Sequence, residues 1–207
     1  MDKANYILSR VADKDILDVG SGGDLIYVGE HANIDEFLCN KMKNVAKELV
    51  LLEIEKKAAQ KLRTYGFYAI HGNAETINLR RKFDVIVLGD VIEHVDNVGM
   101  LIENMKRHLK RDGEIIITTA NPHFMGHFFR AMTLRKPRVQ YDHTSFITES
   151  NLEEICRRHS LKIIDFKYFG GIDKRSTTLL ISSQISKSLG GIWRYLNQSW
   201  VTVLKLS

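Results

Sequence analysis

The sequence predicts an α/β fold: a doubly wound, mostly parallel sheet flanked by helices. Three observations predict it. Short runs rich in Val, Ile and Leu, without clean alternation, recur as Ile16 to Val19, Leu49 to Ile54, Phe83 to Leu88 and Ile115 to Thr118. Such runs read as strands covered on both faces, as in a parallel sheet. Helix-like stretches lie between them, and strand–helix–strand alternation implies right-handed crossovers. The strands also exit into glycine-bearing or acidic turns, at the edge where open α/β sheets bind ligands.

The first strand runs directly into Gly20-Ser21-Gly22-Gly23-Asp24. Glycines at that exit let backbone approach a ligand, although a GxG turn can equally be structural. Phosphate-binding variants fit poorly: the dinucleotide pattern wants a third glycine where Leu25 stands, and no GK[ST] is present. The second strand reaches Glu53, with Glu55 two residues on. A carboxylate there can accept hydrogen bonds from both hydroxyls of a ribose, or it can be a helix-start acid before Lys56 and Lys57. Lys56 to Tyr65 then reads as a helix stopped by Gly66.

A third short apolar run leads to His71-Gly72-Asn73-Ala74-Glu75, where Asn73 could bond an adenine edge or make a plain turn. The fourth strand leads to Gly89-Asp90-Val91-Ile92-Glu93-His94. If a helical turn begins near Asp90, residues 90, 93 and 94 share one face. Two carboxylates and an imidazole could there ligate a divalent cation, or His94 could serve as general base with a carboxylate orienting it. The alternative is Asp90 as an N-cap with Glu93 as its capping-box partner. Val98, Leu101, Ile102, Met105 and Leu109 mark the next helix by their spacing.

After Ala120 the pattern loosens. Residues 121–148 hold Pro122, Pro137, His123, His127, His143 and the cluster Arg130, Arg135, Lys136 and Arg138, and read as a substrate loop or lid. A helix over Glu149 to Ser160 follows, then strands over Leu161 to Tyr168 and Thr177 to Ser182. One domain over residues 1–184 is the expected organisation. The stretch 185–207, with Trp193, Tyr195, Trp200, Val201, Val203 and Leu204 among Lys187, Arg194 and Lys205, reads as an amphipathic segment packed on that domain; peripheral contact with a membrane or partner is the other reading.

Composition bounds the class. With 207 residues, 44% apolar and 27% charged, and only two prolines, the chain is neither disordered nor fibrous. Two cysteines, Cys39 and Cys156, make no disulfide scaffold and point to reduced thiols in a cytoplasm-like compartment. The first ten residues lack a signal peptide's apolar core, and no window supplies the roughly eighteen apolar residues of a membrane span. A net charge of +5 favours anionic partners without establishing nucleic-acid binding.

The ordered set ILDVGSGG, LLEIE, HGNAE, KFDVIVLGDVIEHV and DGEIIITTANPH resembles the class I S-adenosylmethionine-dependent methyltransferases over roughly residues 14–182. The resemblance implies a Rossmann-like sheet of seven strands and S-adenosyl-L-methionine as cofactor. It places Asp18, Gly20, Ser21 and Gly22 by the methionine part, Glu53 on the ribose, Asn73 and Ala74 beside the adenine, and Asp90 at the cofactor's edge. Two departures stand out: Asp24 where the family often has a small residue, and an insertion-like stretch from Ala32 to Asn44 before the second strand.

The DVIEH motif is similar to the acid-x-x-Glu-His signature of ubiquinone-pathway O-methyltransferases and of small-RNA 3′-terminal 2′-O-methyltransferases. That similarity implies a divalent ion, Mg2+ or Mn2+, on Asp90, Glu93 and His94. In the RNA enzymes a further histidine completes the site, and the resemblance offers His143 as its counterpart, while Asp90 is a shorter arm than glutamate. Catalytic roles accordingly fall on His94, Glu93 and His143. The expected reaction is O-methylation of a hydroxyl on a small molecule or glycan, and the Arg130 to Arg138 cluster suggests an anionic acceptor. The other readings are an RNA methyltransferase and a non-catalytic nucleotide-binding module.

Overall fold

The computed structural model describes residues 1–22, 33–127, 142–170 and 193–207, together with positions 132, 184 and 188. Asp24, Leu25, the cluster Arg130 to Arg138 and the expected strand Thr177 to Ser182 lie outside the described residues. In chain order the elements are α1 (Lys3–Val11), β1 (Asp15–Val19), α2 (Leu38–Lys43), β2 (Glu48–Glu53), α3 (Lys56–Thr64), β3 (Ala69–His71), β4 (Phe83–Gly89), α4 (Val98–Arg107), β5 (Leu109–Ala120), α5 (Glu149–Arg158), β6 (Leu161–Phe169) and β7 (Ser199–Leu206). Short 3-10 turns precede α2, at Ile34–Glu36, and β7, at Arg194–Leu196.

The strands form one seven-stranded sheet in the order β3-β2-β1-β4-β5-β7-β6. The pairs from β3 through β5 are parallel, and β7 runs antiparallel to both neighbours. Successive side chains on a strand point to opposite faces, so each apolar run feeds two cores. On one face Ile16, Val85, Val87, Ile116, Val201 and Val203 pack under Tyr6, Ile7 and Val11 of α1. On the other, Leu17, Leu52, Ile86, Leu88, Ile115 and Ile117 pack under Leu101, Ile102 and Met105 of α4 and Leu152 of α5.

Helix α1 is an addition to the sequence reading. Asp2 caps it, its side chain accepting from the Asn5 N–H at 2.8 Å. Leu109 departs from expectation: the spacing carries it into the preceding helix, yet it opens β5 and pairs with Phe83. A register shift between Phe83 and Val85 absorbs the residues before Glu114.

The larger difference concerns the tail. Residues 185–207 were expected to pack on a domain ending at 184, but β7 lies inside the sheet between β5 and β6. Trp200, Val201, Thr202, Val203 and Leu204 are all buried. Of the apolar residues on which peripheral membrane contact rested, those of β7 are taken up by the cores on the two faces of the sheet, whereas Trp193, ahead of the strand, stays exposed. The Thr202 hydroxyl donates to the Asp165 carbonyl at 3.0 Å, whereas the Trp200 indole N–H is buried without a partner. No described helix is long and apolar enough to cross a membrane.

Candidate active site

The carboxyl edge of β1, β2 and β4 gathers the glycine turn and the first acids. At Gly20 the backbone turns through φ +80°, and its N–H donates to the Leu52 carbonyl at 2.9 Å. A Cβ on Gly20 would stand 2.5 Å from Val91 Cγ2, so glycine lets this turn approach the one that follows β4. The Gly22 N–H donates to Glu53 Oε2 at 2.9 Å, and a Cβ there would meet both Glu53 Oε2 and Ala58 Cβ at 2.9 Å. Glu53 Oε1 accepts from the Glu55 N–H at 3.1 Å.

These bonds separate the two acids the sequence left open. Glu53 is buried at the end of β2, whereas Glu55 is exposed and precedes α3 without a side-chain cap bond. Asp18 is also buried and accepts a hydrogen bond from the Ser21 hydroxyl. Burial, reinforced by the nearby Glu53 charge against the Ser21 bond, raises the Asp18 carboxyl to about 7. Asn73 is exposed and its Oδ1 accepts from the Glu75 N–H at 2.7 Å, which makes the polar turn. The carbonyl of buried Ala74 is held by Asn104 Nδ2 at 2.8 Å.

Beyond β4 a single turn closed by the His94 N–H on the Val91 carbonyl at 2.9 Å stands in place of the expected helical turn from Asp90. Asp90 sits at φ +53°, in the left-handed region, and α4 begins only at Val98 with Asn97 as its cap. Thr118 holds this corner: the Asp90 N–H donates to its carbonyl at 3.0 Å, and its hydroxyl donates to Asp90 Oδ1 at 2.9 Å. Lys3 Nζ lies 3.4 Å from Asp90 Oδ2. The side chain is thereby engaged by Thr118 and Lys3, and neither the shared helical face nor the capping box is formed.

Glu93, His94 and His143 do converge. Each offers one ligand atom, and these atoms lie within 4.8 Å of one another. Asp90, expected as a fourth ligand, is not in that group, because its left-handed backbone and its bond to Thr118 turn the carboxylate elsewhere. The imidazoles of His94 and His143 meet edge to face with centroids 4.7 Å apart. Glu93 is only 2% exposed; burial pushes its carboxyl above the ordinary range against a hydrogen bond from Thr119. Burial, then the neighbouring His94, pushes His143 down, with Asp142 and Asp90 opposing.

Glu93 Oε2 and His143 Nδ1 are buried without a hydrogen-bond partner. Such atoms are costly to strand in a folded protein, and one carboxylate oxygen beside two imidazoles is a donor set that suits a borderline divalent ion. His94 Nδ1 lies 3.2 Å from the Asp142 carbonyl and 3.5 Å from its carboxylate. An acceptor on that side assigns the ring proton to Nδ1 and leaves the Nε2 lone pair for a proton or a metal.

Asn121, the start of the Asn-Pro-His segment, is buried with its Nδ2 donating 2.9 Å to the Asn197 carbonyl. Its amide anchors the chain that leads into β7. His123 and His127 lie in the turn that follows. Sequence reasoning passed over Lys3 and Thr118, since both act on Asp90 across 87 and 28 residues and no local pattern announces such contacts.

A seven-stranded sheet with one antiparallel strand, and polar groups crowded at its carboxyl edge, defines a Rossmann-like α/β protein with its candidate site at that edge. Residues 2–165 match the family described as "Methyltransferase domain", and the chain belongs to it as a class I S-adenosylmethionine-dependent methyltransferase. Among curated relatives, the ubiquinone biosynthesis O-methyltransferase of Rickettsia typhi is 25% identical over 175 residues, covering 81% of this chain and 68% of that protein. The protein of the same name from Azoarcus sp. is 28% identical over 165 residues, covering 74% and 66%. The chain thus spans about two thirds of these relatives' length. Among solved structures, a SAM-dependent methyltransferase from Archaeoglobus fulgidus superposes with a TM-score of 0.65 at 14% identity, covering 97% of this chain and 90% of that one. Magnesium protoporphyrin IX methyltransferase from Synechocystis, solved with bound SAH, gives 0.65 at 11%, covering 99% and 82%. At these identities the structures support the fold alone.

Proposed function

We propose that this methyltransferase acts on a hydroxyl oxygen of a small-molecule or glycan acceptor, with a divalent ion held by Glu93, His94 and His143. The observation that carries the reading is the convergence of those three side chains, two of them with buried polar atoms lacking partners. The name shared by the curated relatives agrees with oxygen as the acceptor atom.

Asp18, Gly20, Ser21 and Gly22 take the methionine end of the cofactor, Glu53 its ribose hydroxyls, and the turn at Asn73 and Ala74 borders the adenine. The glycine turn fits this task because a Cβ at Gly22 would collide with the Glu53 carboxylate that the ribose needs. A bound S-adenosylmethionine supplies the electrophilic methyl group. The residues supply position, which is the main source of rate in an in-line displacement. Without an ion, His94 Nε2 can take the acceptor's hydroxyl proton, with Asp142 orienting the ring from Nδ1; with an ion held there, the same Nε2 would be its ligand and the acidified hydroxyl would release its proton to solvent. A divalent ion, when bound, lowers the pKa of such a hydroxyl. The mixed donor set suits Mn2+ better than Mg2+.

Isotope-labelled methyl transfer from S-adenosylmethionine into fractionated small-molecule and glycan extracts tests this reading. Product whose label is base-stable on oxygen, lost with a chelator and restored by Mn2+, is the expected result. Transfer indifferent to the chelator would return His94 to a metal-free base, and no cofactor binding by calorimetry would sink the assignment.

A further inference from the structure

The Glu93, His94 and His143 side chains belong to two segments with no strand pairing between them. Of the three side chains, His94 reaches across through Nδ1 to the Asp142 carbonyl at 3.2 Å, while Glu93 Oε2 and His143 Nδ1 have no partner. The other bonds between the segments centre on one exposed residue outside every helix and strand. The Thr144 N–H donates to the Glu93 carbonyl at 2.8 Å, and its hydroxyl reaches both that carbonyl, at 3.0 Å, and the Val95 carbonyl, at 2.8 Å. The Ser145 N–H adds a longer bond to the Glu93 carbonyl at 3.3 Å. Downstream, the Thr148–Asn151 capping box anchors the segment to α5.

We propose that Thr144 is the positioning residue of this site, strapping the acceptor-side segment onto the turn after β4 so that His143 faces His94. The inference rests on the reading of Glu93, His94 and His143 as a metal-holding group. The residue type matters because one residue must supply both an N–H and a hydroxyl donor to carbonyls two positions apart. Valine keeps the shape and the N–H but loses the hydroxyl; serine keeps both donors. The β-branch also restricts χ1, so the hydroxyl is held where it is needed. Partners of this kind, which orient ligands without touching the metal, typically govern its affinity by about 10–100-fold.

The test uses the full chain as wild type, Thr144→Val and Thr144→Ser, with Co2+ as a spectroscopic probe. Thr144→Val is expected to bind Co2+ about 10–100-fold more weakly, with its visible spectrum altered. Thr144→Ser should return to near the wild-type affinity, and all three proteins should bind S-adenosylmethionine alike. Wild-type Co2+ affinity in Thr144→Val, or no rescue by serine, overturns the proposal. If the wild type itself takes up no Co2+, the metal reading fails and imidazole NMR decides instead. A proton contact between the His94 and His143 rings that vanishes in Thr144→Val and returns in Thr144→Ser upholds the positioning role; its persistence in Thr144→Val overturns it.

Discussion

Along the carboxyl edge of the sheet, the proposed cofactor side and the proposed acceptor side are assembled in different ways. Asp18, Ser21, Gly22 and Glu53 come from the ends of two paired parallel strands and the turn between, and they bond to one another directly. Glu93, His94 and His143 come from two turns, and the bond that joins those turns at Glu93 and Thr144 spans 51 residues. The first arrangement is made by strand register, so it is present wherever the sheet is. The second depends on a strap of a few hydrogen bonds, each worth about 0.5–1.5 kcal/mol net. Local opening of the second without loss of the first is the physical consequence.

Three substitutions break or sharpen that contrast. The largest effect is expected from His94→Ala, which should lower methyl-transfer turnover by about 10²–10⁴-fold, the usual worth of a positioned proton acceptor. Cofactor affinity by calorimetry should be unchanged; a parallel loss of binding would show the two sides are not separable. Gly20→Ala strikes the other side. Its φ of +80° and the 2.5 Å approach to Val91 impose strain of about 1–3 kcal/mol. Denaturant titration should show that loss together with weakened cofactor binding, whereas an unchanged midpoint would mean the turn relaxes freely.

The smallest effect is in pH dependence. Burial raises Asp18 to about 7 in the folded protein, above its unfolded value of about 3.9. Its contribution to stability is therefore full below about pH 4 and is lost as pH rises towards 7. Cofactor-free wild type should lose stability across that window, and Asp18→Asn should lose less. Identical profiles for the two proteins would remove Asp18 as the cause.

Much of this architecture was legible in the residues. Runs such as Phe83 to Leu88 announced buried parallel strands because both faces of a central strand must be apolar, and the glycine turn after β1 was visible because backbone approach leaves few residue choices. The tail was harder. Ser199–Leu206 looks amphipathic as text, yet an antiparallel strand entering between β5 and β6 gives no pairing signal of its own, since its partners lie far back in the chain. The motif DVIEH singled out Glu93 and His94, which the fold brings beside His143, but not the backbone at Asp90, whose φ of +53° goes with the bond from Thr118.

Sequence by itself determined the α/β class, the order of strands β1 to β5 along the chain and the residue types at the carboxyl edge, because periodicity and turn chemistry are local properties. Only the tertiary structure decided three things: that Glu53 and not Glu55 is the buried acid, that Asp90 turns to Thr118 and Lys3, and that Thr144 brings His143 to His94. Each of those depends on a hydrogen bond between residues distant in the chain, and such bonds are specified by how the elements pack rather than by any neighbour in sequence.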